Sequence, residues 1–169
     1  MNHLYCDRSS PTFSFLNIFH IKRTHFCFIQ ANFIQPGKRP LSSICPVIAL
    51  YKSDLCGRQV VLGGSGGSRI TSAVIQVLFN MLTFDQSLEN AIEWPRLHHQ
   101  LSPMEVEVEG DKFSDKVKNL SITRFLEDRG NKVNNKPTFT AIVNGAYKYD
   151  GHLYGHADTR RNGGGAVVY

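Results

Sequence analysis

The chain has 169 residues, of which 41% are hydrophobic, and this composition fits one globular unit and argues against a fibrous or disordered protein. Its formal charge of +5 is spread along the chain without a Lys/Arg run longer than two residues, so a nucleic-acid partner is not expected. The four cysteines form no CxxC pair and have no histidine at zinc-ligand spacing, so neither a metal site nor a cofactor is predicted.

Residues 1–30 mix aromatic, His and Ser residues with neither strand nor helix periodicity, which predicts no stable element. We therefore divide the chain into a leader, 1–30, predicted to be disordered, and a folded part, 31–169. The most apolar part of the leader, Phe13 to Ile21, is too short for a membrane span and lacks a small-residue cleavage site. No targeting segment is predicted.

An apolar run from Ile44 to Tyr51 predicts a buried strand, and the β-branched run 59–62 predicts a second strand that pairs with it as a hairpin. The hairpin ends at a cluster of small residues, Gly63 to Gly67. Apolar residues then recur at helical spacing, which predicts a helix over 69–82. The resulting unit is strand, glycine loop and helix.

The remaining chain alternates between helical and strand patterns. The predicted elements are a helix over 86–93, a half-buried strand over 104–109 with one solvated acidic face, a helix over 112–129, and a hairpin of 139–143 with 151–155 around Asn144-Gly145. Helices and strands that alternate in blocks favour a layered α+β fold over a helical bundle.

The glycine cluster offers a binding site for negative charge. Glycines between a strand and a helix leave backbone N–H groups uncovered at the positive end of the helix dipole, where an anion or an oxyanion can bind. Gly66 and Gly67 are the natural donors. The cluster lacks the Lys-Ser/Thr pair of a phosphate-binding loop and the third glycine of a dinucleotide fingerprint. A tight turn without chemistry is the alternative interpretation.

Ser42 and Ser43 precede the first predicted strand and offer two hydroxyls and two amides to a carboxylate, with Lys38 and Arg39 nearby as positive charges. Serine pairs also form turns that bond their own backbone, and the two cations fit a solvated surface equally well. Carboxylate binding is therefore one of two interpretations of this segment.

Two further patterns involve histidine or serine. His98-His99 invites a metal site, but adjacent side chains of an extended segment point in opposite directions, so no metal is predicted. Gly63-x-Ser65-x-Gly67 fits the nucleophile elbow of a serine hydrolase. Such a hydrolase places its histidine after its acid, which excludes Asp158 as the acid. The remaining candidates are Asp111 or Asp150 with His152 or His156.

Five segments follow one another in a recognisable order: Pro36 to Pro46, Gly66 to Ile70, Pro95 to Gln100, Val106 to Gly110 and Leu153 to Arg160. A glycine-rich tail that ends in Tyr169 completes the series. The series resembles the carboxy-terminal part of the small subunit of the γ-glutamyltranspeptidase (glutathione hydrolase) family. The resemblance covers residues 31–169, and several motifs in register make it specific.

This resemblance implies a partial αββα sandwich of the N-terminal-nucleophile hydrolases, in which self-cleavage frees a threonine that takes the γ-glutamyl group of glutathione. It implies that Ser42 and Ser43 hold the α-carboxylate of that group and that the amides of Gly66 and Gly67 form the oxyanion hole. It also implies a large subunit of the same precursor as partner, and a location at the cell surface or in the periplasm.

The sequence departs from the family in several places. The Thr-x-His-x-Ser nucleophile motif is missing, since residues 1–30 match nothing in the family and offer only Thr24-His25 at the wrong spacing. The acids that hold the substrate amine and the large subunit with its carboxylate-binding arginine are missing as well. Thr159 replaces a usual proline, a change expected to have little functional weight. We expect an enzyme fragment that is inactive by itself, with a serine hydrolase using Ser65 or a non-catalytic remnant as alternatives.

Overall fold

The computed structural model describes residues 32–51, 54–110, 122–137, 141–161 and 164–166. By its internal contacts the chain divides into two compact units, Met1–Ser43 and Ile44–Tyr169. The strands and α-helices of the described residues all belong to the second unit. The boundary that the sequence predicts between residues 30 and 31 stays a prediction.

The second unit contains strands and helices in mixed order. Its strands are β1 (Val47–Tyr51), β2 (Asp54–Ser65), β3 (Leu97–His99), β4 (Val106–Glu109), β5 (Val133–Lys136), β6 (Ile142–Tyr149) and β7 (His152–Ala157). Its helices are α1 (Ile70–Thr83), α2 (Leu88–Glu93) and α3 (Ile122–Glu127), and a 3₁₀ turn (Gly67–Arg69) precedes α1. The predicted α+β class is confirmed.

The strands form two sheets. Four antiparallel strands pair in the order β1-β2-β6-β7, and β4 lies in the middle of a second sheet, antiparallel to β3 and parallel to β5. The predicted first hairpin is confirmed, because β1 and β2 pair with Val47 opposite Leu62. The sequence pattern did not predict β3 and β5, which are short, and β5 (Val133–Lys136) is too polar to show alternation.

The core lies between one face of the four-stranded sheet and the first two helices. Helical spacing puts the apolar residues of α1 on one side, and this side covers the inward-facing residues of β2 and β6. The buried cluster includes Val60, Leu62, Val143, Ala73, Val74, Val77, Leu88, Ala91 and Ile92. The helices predicted over 69–82 and 86–93 are confirmed. Ser87 caps α2 by accepting a hydrogen bond from the amide of Asn90 at 3.2 Å.

The predicted position of the second hairpin turn is wrong. The turn between β6 and β7 lies at Asp150 and Gly151, whose φ angles of 48° and 75° suit a tight turn that joins twisted strands. Asn144-Gly145, the predicted turn, lies inside β6. A Cβ atom at Gly145 would lie 2.6 Å from Leu62 Cδ2 and 3.0 Å from the carbonyl oxygen of Val61, so the packing leaves little space for a side chain there.

The predicted solvated acidic face of the strand at 104–109 is also wrong. Glu107 is 9% exposed and Glu109 is fully buried, because each carboxylate has an arginine partner from another part of the chain. For the helix predicted over 112–129, the described part is helical from Ile122 to Glu127, and 111–121 lie outside the described residues.

The other face of the four-stranded sheet is apolar and uncovered in the described part of the chain. The outward-facing side chains of Ile48, Leu50, Val61 and Leu153 are 47–72% exposed. Of the helices in the described residues, none has the length and apolar character needed to cross a membrane.

A cluster of four buried charges lies where α2, β4 and the end of β7 meet. Arg96, Glu109, Asp158 and Arg160 have side chains no more than 1% exposed. Asp158 lies 2.9 Å from Arg96 and 3.1 Å from Arg160, and Arg160 lies 2.7 Å from Glu109. Two cations and two anions balance, which reduces the free energy of burying them.

The same cluster holds backbone atoms of several elements. Asp158 Oδ2 accepts from the amide of Val143 at 2.9 Å, and Arg96 Nη1 donates to the carbonyl of Ala141 at 2.7 Å. Burial lowers the pKa of Arg96. Burial also opposes the charge of Arg160, but the Glu109 and Asp158 carboxylates outweigh it and raise the pKa of Arg160.

Removing Asp158 tests the role of this cluster. We expect Asp158→Ala to lower the free energy of unfolding by about 3–5 kcal/mol, because two buried guanidinium groups then share one carboxylate. The matched control is Asp128→Ala, which breaks an exposed pair with Arg124 at 4.0 Å and should cost less than about 1 kcal/mol. Urea unfolding of both variants measures the difference, and equal losses would contradict a structural role of the cluster.

Candidate functional site

The strand, glycine turn and helix predicted from the sequence form a continuous unit. Strand β2 ends at Ser65, Gly66 follows, and the 3₁₀ turn Gly67–Arg69 leads directly into α1. Gly63 and Gly64 therefore belong to the strand, and the turn is shorter than predicted. The first amides of a helix lack an acceptor within the helix, so the turn presents N–H groups at the positive end of α1.

Gly66 and Gly67 are required at their positions for different reasons. Gly66 has φ 138°, and a Cβ atom there would lie 2.5 Å from Ala141 Cα. Gly67 has φ 65°, and a Cβ atom there would point into open space, so only its backbone conformation restricts it. Because Arg96 donates to the carbonyl of Ala141, the buried charge cluster supports the backbone against which Gly66 packs.

Alanine substitutions separate these two requirements. We expect Gly67→Ala to cost about 1–2 kcal/mol, the strain of a left-handed conformation. Gly66→Ala should cost about 3 kcal/mol or more, because overpacking against Ala141 adds to backbone strain. Urea unfolding of the two variants gives the comparison, and a smaller loss for Gly66→Ala would show that Ala141 is not a rigid neighbour.

A series of side-chain hydrogen bonds lies beside the turn. Ser68 Oγ donates to Gln100 Oε1 at 2.8 Å, and His98 Nε2 lies 3.0 Å from the same oxygen. His98 Nδ1 lies 2.8 Å from Ser72 Oγ in α1. The sequence motif Pro95 to Gln100 contains both His98 and Gln100, but it predicted a partner for neither, since these contacts join distant parts of the chain.

An ion pair fixes the end of the turn. Arg69 binds the Glu107 carboxylate through two nitrogens, at 2.5 and 2.7 Å, and Lys136 lies 3.9 Å from the same carboxylate. The hydrogen bond from Arg69 is the main reason why the pKa of Glu107 is lowered. The turn is therefore attached to β4 as well as to the segment after β3.

Ser42 and Ser43 lie in the first unit, in exposed backbone without regular secondary structure. Upstream of them, Lys38 donates its Nζ to the carbonyl of Phe33 at 2.9 Å, and Arg39 is exposed. The role of the two serines in binding a carboxylate stays a prediction.

The two histidines of the sequence motif point in opposite directions, as predicted. His98 is 5% exposed, whereas His99 is exposed to solvent. In the described residues, no group of three or more His, Cys, Asp or Glu side chains could hold a metal ion.

The serine hydrolase alternative finds no support in the histidine contacts. Ser65 stands at the end of a strand before a helix, as that hypothesis requires. However, both ring nitrogens of His98 face other groups, His152 Nδ1 contacts the carbonyl of Asp150, and His156 Nε2 contacts Glu93. Asp158 belongs to the buried charge cluster, and Asp111 lies outside the described residues.

Glu93, at the end of α2, forms several hydrogen bonds with the end of β7 and the segment that follows it. Thr159 donates its amide at 2.9 Å and its hydroxyl at 2.6 Å, and His156 Nε2 lies at 3.0 Å. Burial opposes the carboxylate charge, but these bonds and Arg160 outweigh it and lower the pKa of Glu93 to about 2. A proline in place of Thr159 would lack both donors, so this residue has a structural role that the sequence did not reveal.

The pKa of Glu93 predicts an acid-sensitive contact. A carboxylate whose pKa falls on folding stabilises the fold above its unfolded pKa and loses this contribution as the pH falls toward the folded pKa. For Glu93 that window runs from 4.5 down to about 2. We expect Glu93→Gln to flatten the fall of stability within this window in urea unfolding at several pH values. The control is Glu89→Gln on the exposed face of the same helix, and identical slopes for both variants would refute the assignment.

Comparison with solved structures first identifies the class of fold. A Helicobacter pylori γ-glutamyltranspeptidase mutant superposes with a TM-score of 0.63 and 33% identity, over 79% of this chain and 69% of that chain. The predicted α+β fold, part of an N-terminal-nucleophile hydrolase sandwich, is confirmed.

The family follows from the sequence comparisons. The gamma-glutamyltranspeptidase family model matches residues 14–168, so the chain belongs to this family. The match begins inside the segment that was predicted to lie outside the family. Glutathione hydrolase proenzyme 1 of Schizosaccharomyces pombe is 38% identical over 132 residues, which are 77% of this chain and 20% of that protein. Scoloptoxin SSD14 of Scolopendra dehaani is 41% identical over 137 residues, 79% of this chain and 22% of that protein. The chain thus spans about a fifth of the length of these relatives.

Proposed function

We propose that this chain supplies the oxyanion hole of a γ-glutamyltransferase or glutathione hydrolase. The observation that supports the proposal most strongly is the conformation of Gly66 and Gly67 at the start of α1, in a chain that belongs to the γ-glutamyltranspeptidase family. The amides of these two residues are proposed as the donors.

The chemistry required of such a site is the transfer of an acyl group. A hydroxyl nucleophile attacks the γ-amide carbonyl, negative charge develops on the carbonyl oxygen, and the amine leaves with a proton. Water or an amino acid then takes the γ-glutamyl group from the acyl-enzyme. Backbone donors that are already in place stabilise the oxyanion without reorganisation, and losing one of them typically costs about 10²–10³ in kcat. Two contacts of the turn favour such a fixed arrangement. Gly66 packs against Ala141, and Arg69 pairs with Glu107 on β4.

The substrate is proposed to be a γ-glutamyl compound such as glutathione, with Ser42 and Ser43 binding its α-carboxylate. The relatives that are named glutathione hydrolases support this substrate. The proposed partner is the large subunit of the same precursor, which would supply the carboxylate-binding arginine. The proposed location is the cell surface, the extracellular space or the periplasm, where the family works.

By itself this chain is proposed to be inactive. An oxyanion hole stabilises charge that appears only after a nucleophile attacks, and the 169 residues contain no Thr-x-His-x-Ser motif. A bound γ-glutamyl group would also lack several charge-assisted hydrogen bonds, each worth about 1.5–3 kcal/mol. Binding of glutamate should therefore be very weak.

A graft tests the proposed function. Residues 31–169 replace the aligned segment of the S. pombe proenzyme, and a chromogenic γ-glutamyl anilide measures turnover. We expect turnover by the graft and none by the isolated chain. Gly67→Pro in the graft should lower kcat by about 10²–10³, because proline has no N–H and cannot adopt the φ of 65°. Gly67→Ala, which keeps the N–H, should lose less.

The same assay distinguishes the alternatives. Ser65→Ala should leave turnover of the graft nearly unchanged, whereas loss of activity in this variant would favour a serine hydrolase. A graft that is folded and self-cleaved but cannot turn over substrate would identify the segment as a non-catalytic remnant. Micromolar binding of glutamate to the isolated chain would also contradict the proposal.

A further inference from the structure

The ring of His98 is held at Nε2 by a group that can only accept. Gln100 Oε1 lies 3.0 Å from Nε2, and the amide nitrogen of Gln100 donates to the carbonyl of Ser102 at 2.9 Å, which fixes the oxygen toward the ring. Nε2 must therefore hold a hydrogen in both charge states of the ring. The charge state is decided at Nδ1.

At Nδ1 the ring meets a hydroxyl that has one hydrogen and two acceptors. Ser72 Oγ lies 2.8 Å from His98 Nδ1 and 3.1 Å from the carbonyl oxygen of Arg69. When the ring is neutral, Nδ1 accepts and the hydroxyl hydrogen points to it. When the ring is protonated, Nδ1 donates to Oγ, and the hydroxyl hydrogen bonds the Arg69 carbonyl instead.

Both partners of the ring connect it to the glycine turn. Gln100 Oε1 also accepts from Ser68 Oγ at 2.8 Å, and Ser72 contacts the carbonyl of Arg69. Ser68 and Arg69 are the two residues that follow Gly67 in the 3₁₀ turn. The Ser72 hydroxyl, whose hydrogen depends on the charge of the ring, is thus bonded to the backbone carbonyl two residues after Gly67.

The charged groups that face the ring carry both signs. Glu107 on β4 is the residue opposite His98 in the β3–β4 pairing. Arg69 and Lys136 both pair with Glu107. From α1 the ring meets the neutral Ser72.

We propose that His98 is a positioning residue for the Gly66-Gly67 turn, and that protonation of its ring moves the hydroxyl hydrogen of Ser72 from His98 Nδ1 to the Arg69 carbonyl. The ring takes one proton from solvent at Nδ1, and no bond between heavy atoms changes. Besides the Arg69–Glu107 ion pair, the hydrogen bonds around the ring then hold the turn at Ser68 and at the Arg69 carbonyl at low pH, and at Ser68 alone at high pH. The inference rests on the proposed function, since the oxyanion role is what makes the geometry of this turn matter for catalysis.

The test is a pH titration of the whole isotope-labelled 169-residue chain by NMR, between about pH 5 and 8. The readouts are the ring ¹⁵N shifts of His98, the carbonyl ¹³C shift of Arg69 and the amide shifts of Gly67 and Ser68. We expect the neutral ring to be the Nε2–H tautomer and the Arg69 carbonyl shift to follow the ring titration. Ser72→Ala should remove this carbonyl response while the ring still titrates, and Ser72→Thr should restore it.

His99→Gln is the matched control, because His99 is the neighbouring exposed histidine and should leave the response intact. A neutral His98 in the Nδ1–H form, a carbonyl response that persists in Ser72→Ala, or its loss in His99→Gln would overturn the inference. These readouts need neither substrate nor nucleophile. Failure of the graft assay would therefore contradict the proposed function without changing the proton arrangement at His98 and Ser72, and the NMR outcomes that overturn the inference would leave the result of the graft assay unchanged.

Discussion

Burial of charge is the constraint on which the rest of this structure depends. Arg96 and Arg160 would be very costly in the interior without Asp158 and Glu109, whose carboxylates neutralise them and come from different parts of the chain. Because each charged group needs its partners in place, the end of β7, the carboxyl end of β4 and the segment before β3 must assemble together. The guanidinium groups also donate to the carbonyl of Ile92, which attaches α2 to the same cluster.

The buried charge cluster supports the glycine turn through the backbone of Ala141 rather than through a direct side-chain contact. Arg96 fixes the carbonyl of Ala141, and Ala141 leaves Gly66 no space for a Cβ atom. On the other side, the Arg69–Glu107 pair attaches the end of the turn to β4. Arg96, between α2 and β3, therefore supports the turn through Ala141, and Arg69, within the turn, attaches it to β4; each pairs with a carboxylate from a distant part of the chain. Such a turn can present amides in a fixed geometry without any contribution from a ligand.

Local patterns predicted the elements, and long-range contacts decided what the patterns left open. The apolar spacing of Ile70 to Leu82 sufficed for α1, because a helix buries one face whatever it packs against. Asn144-Gly145 and Asp150-Gly151 are both good turn sequences, but Asn144 and Gly145 pair with β2 and β7 inside the sheet, so the turn falls at Asp150-Gly151. The acidic residues of β4 alternate with apolar residues, as in a strand with one solvated face, but they are buried because they pair with arginines from distant parts of the chain. For the site, residue types suggested Gly66 and Gly67 as donors to an anion and Ser42 and Ser43 as ligands of a carboxylate, each with a structural alternative, and only the resemblance favoured the functional interpretation.

In the described residues, one face of the four-stranded sheet is covered by helices and the other is exposed. One face is covered by α1 and α2 and has the fully buried Val60 and Val143, while the other exposes Ile48 and Leu50. An apolar sheet face gains stability only when another layer removes it from water. The buried charge cluster and the turn are bonded to β4 and packed against Ala141 and Val143, rather than against the exposed apolar face. A nucleophile for the proposed oxyanion site would have to come from residues other than these, which separates the stability of the turn from its proposed use.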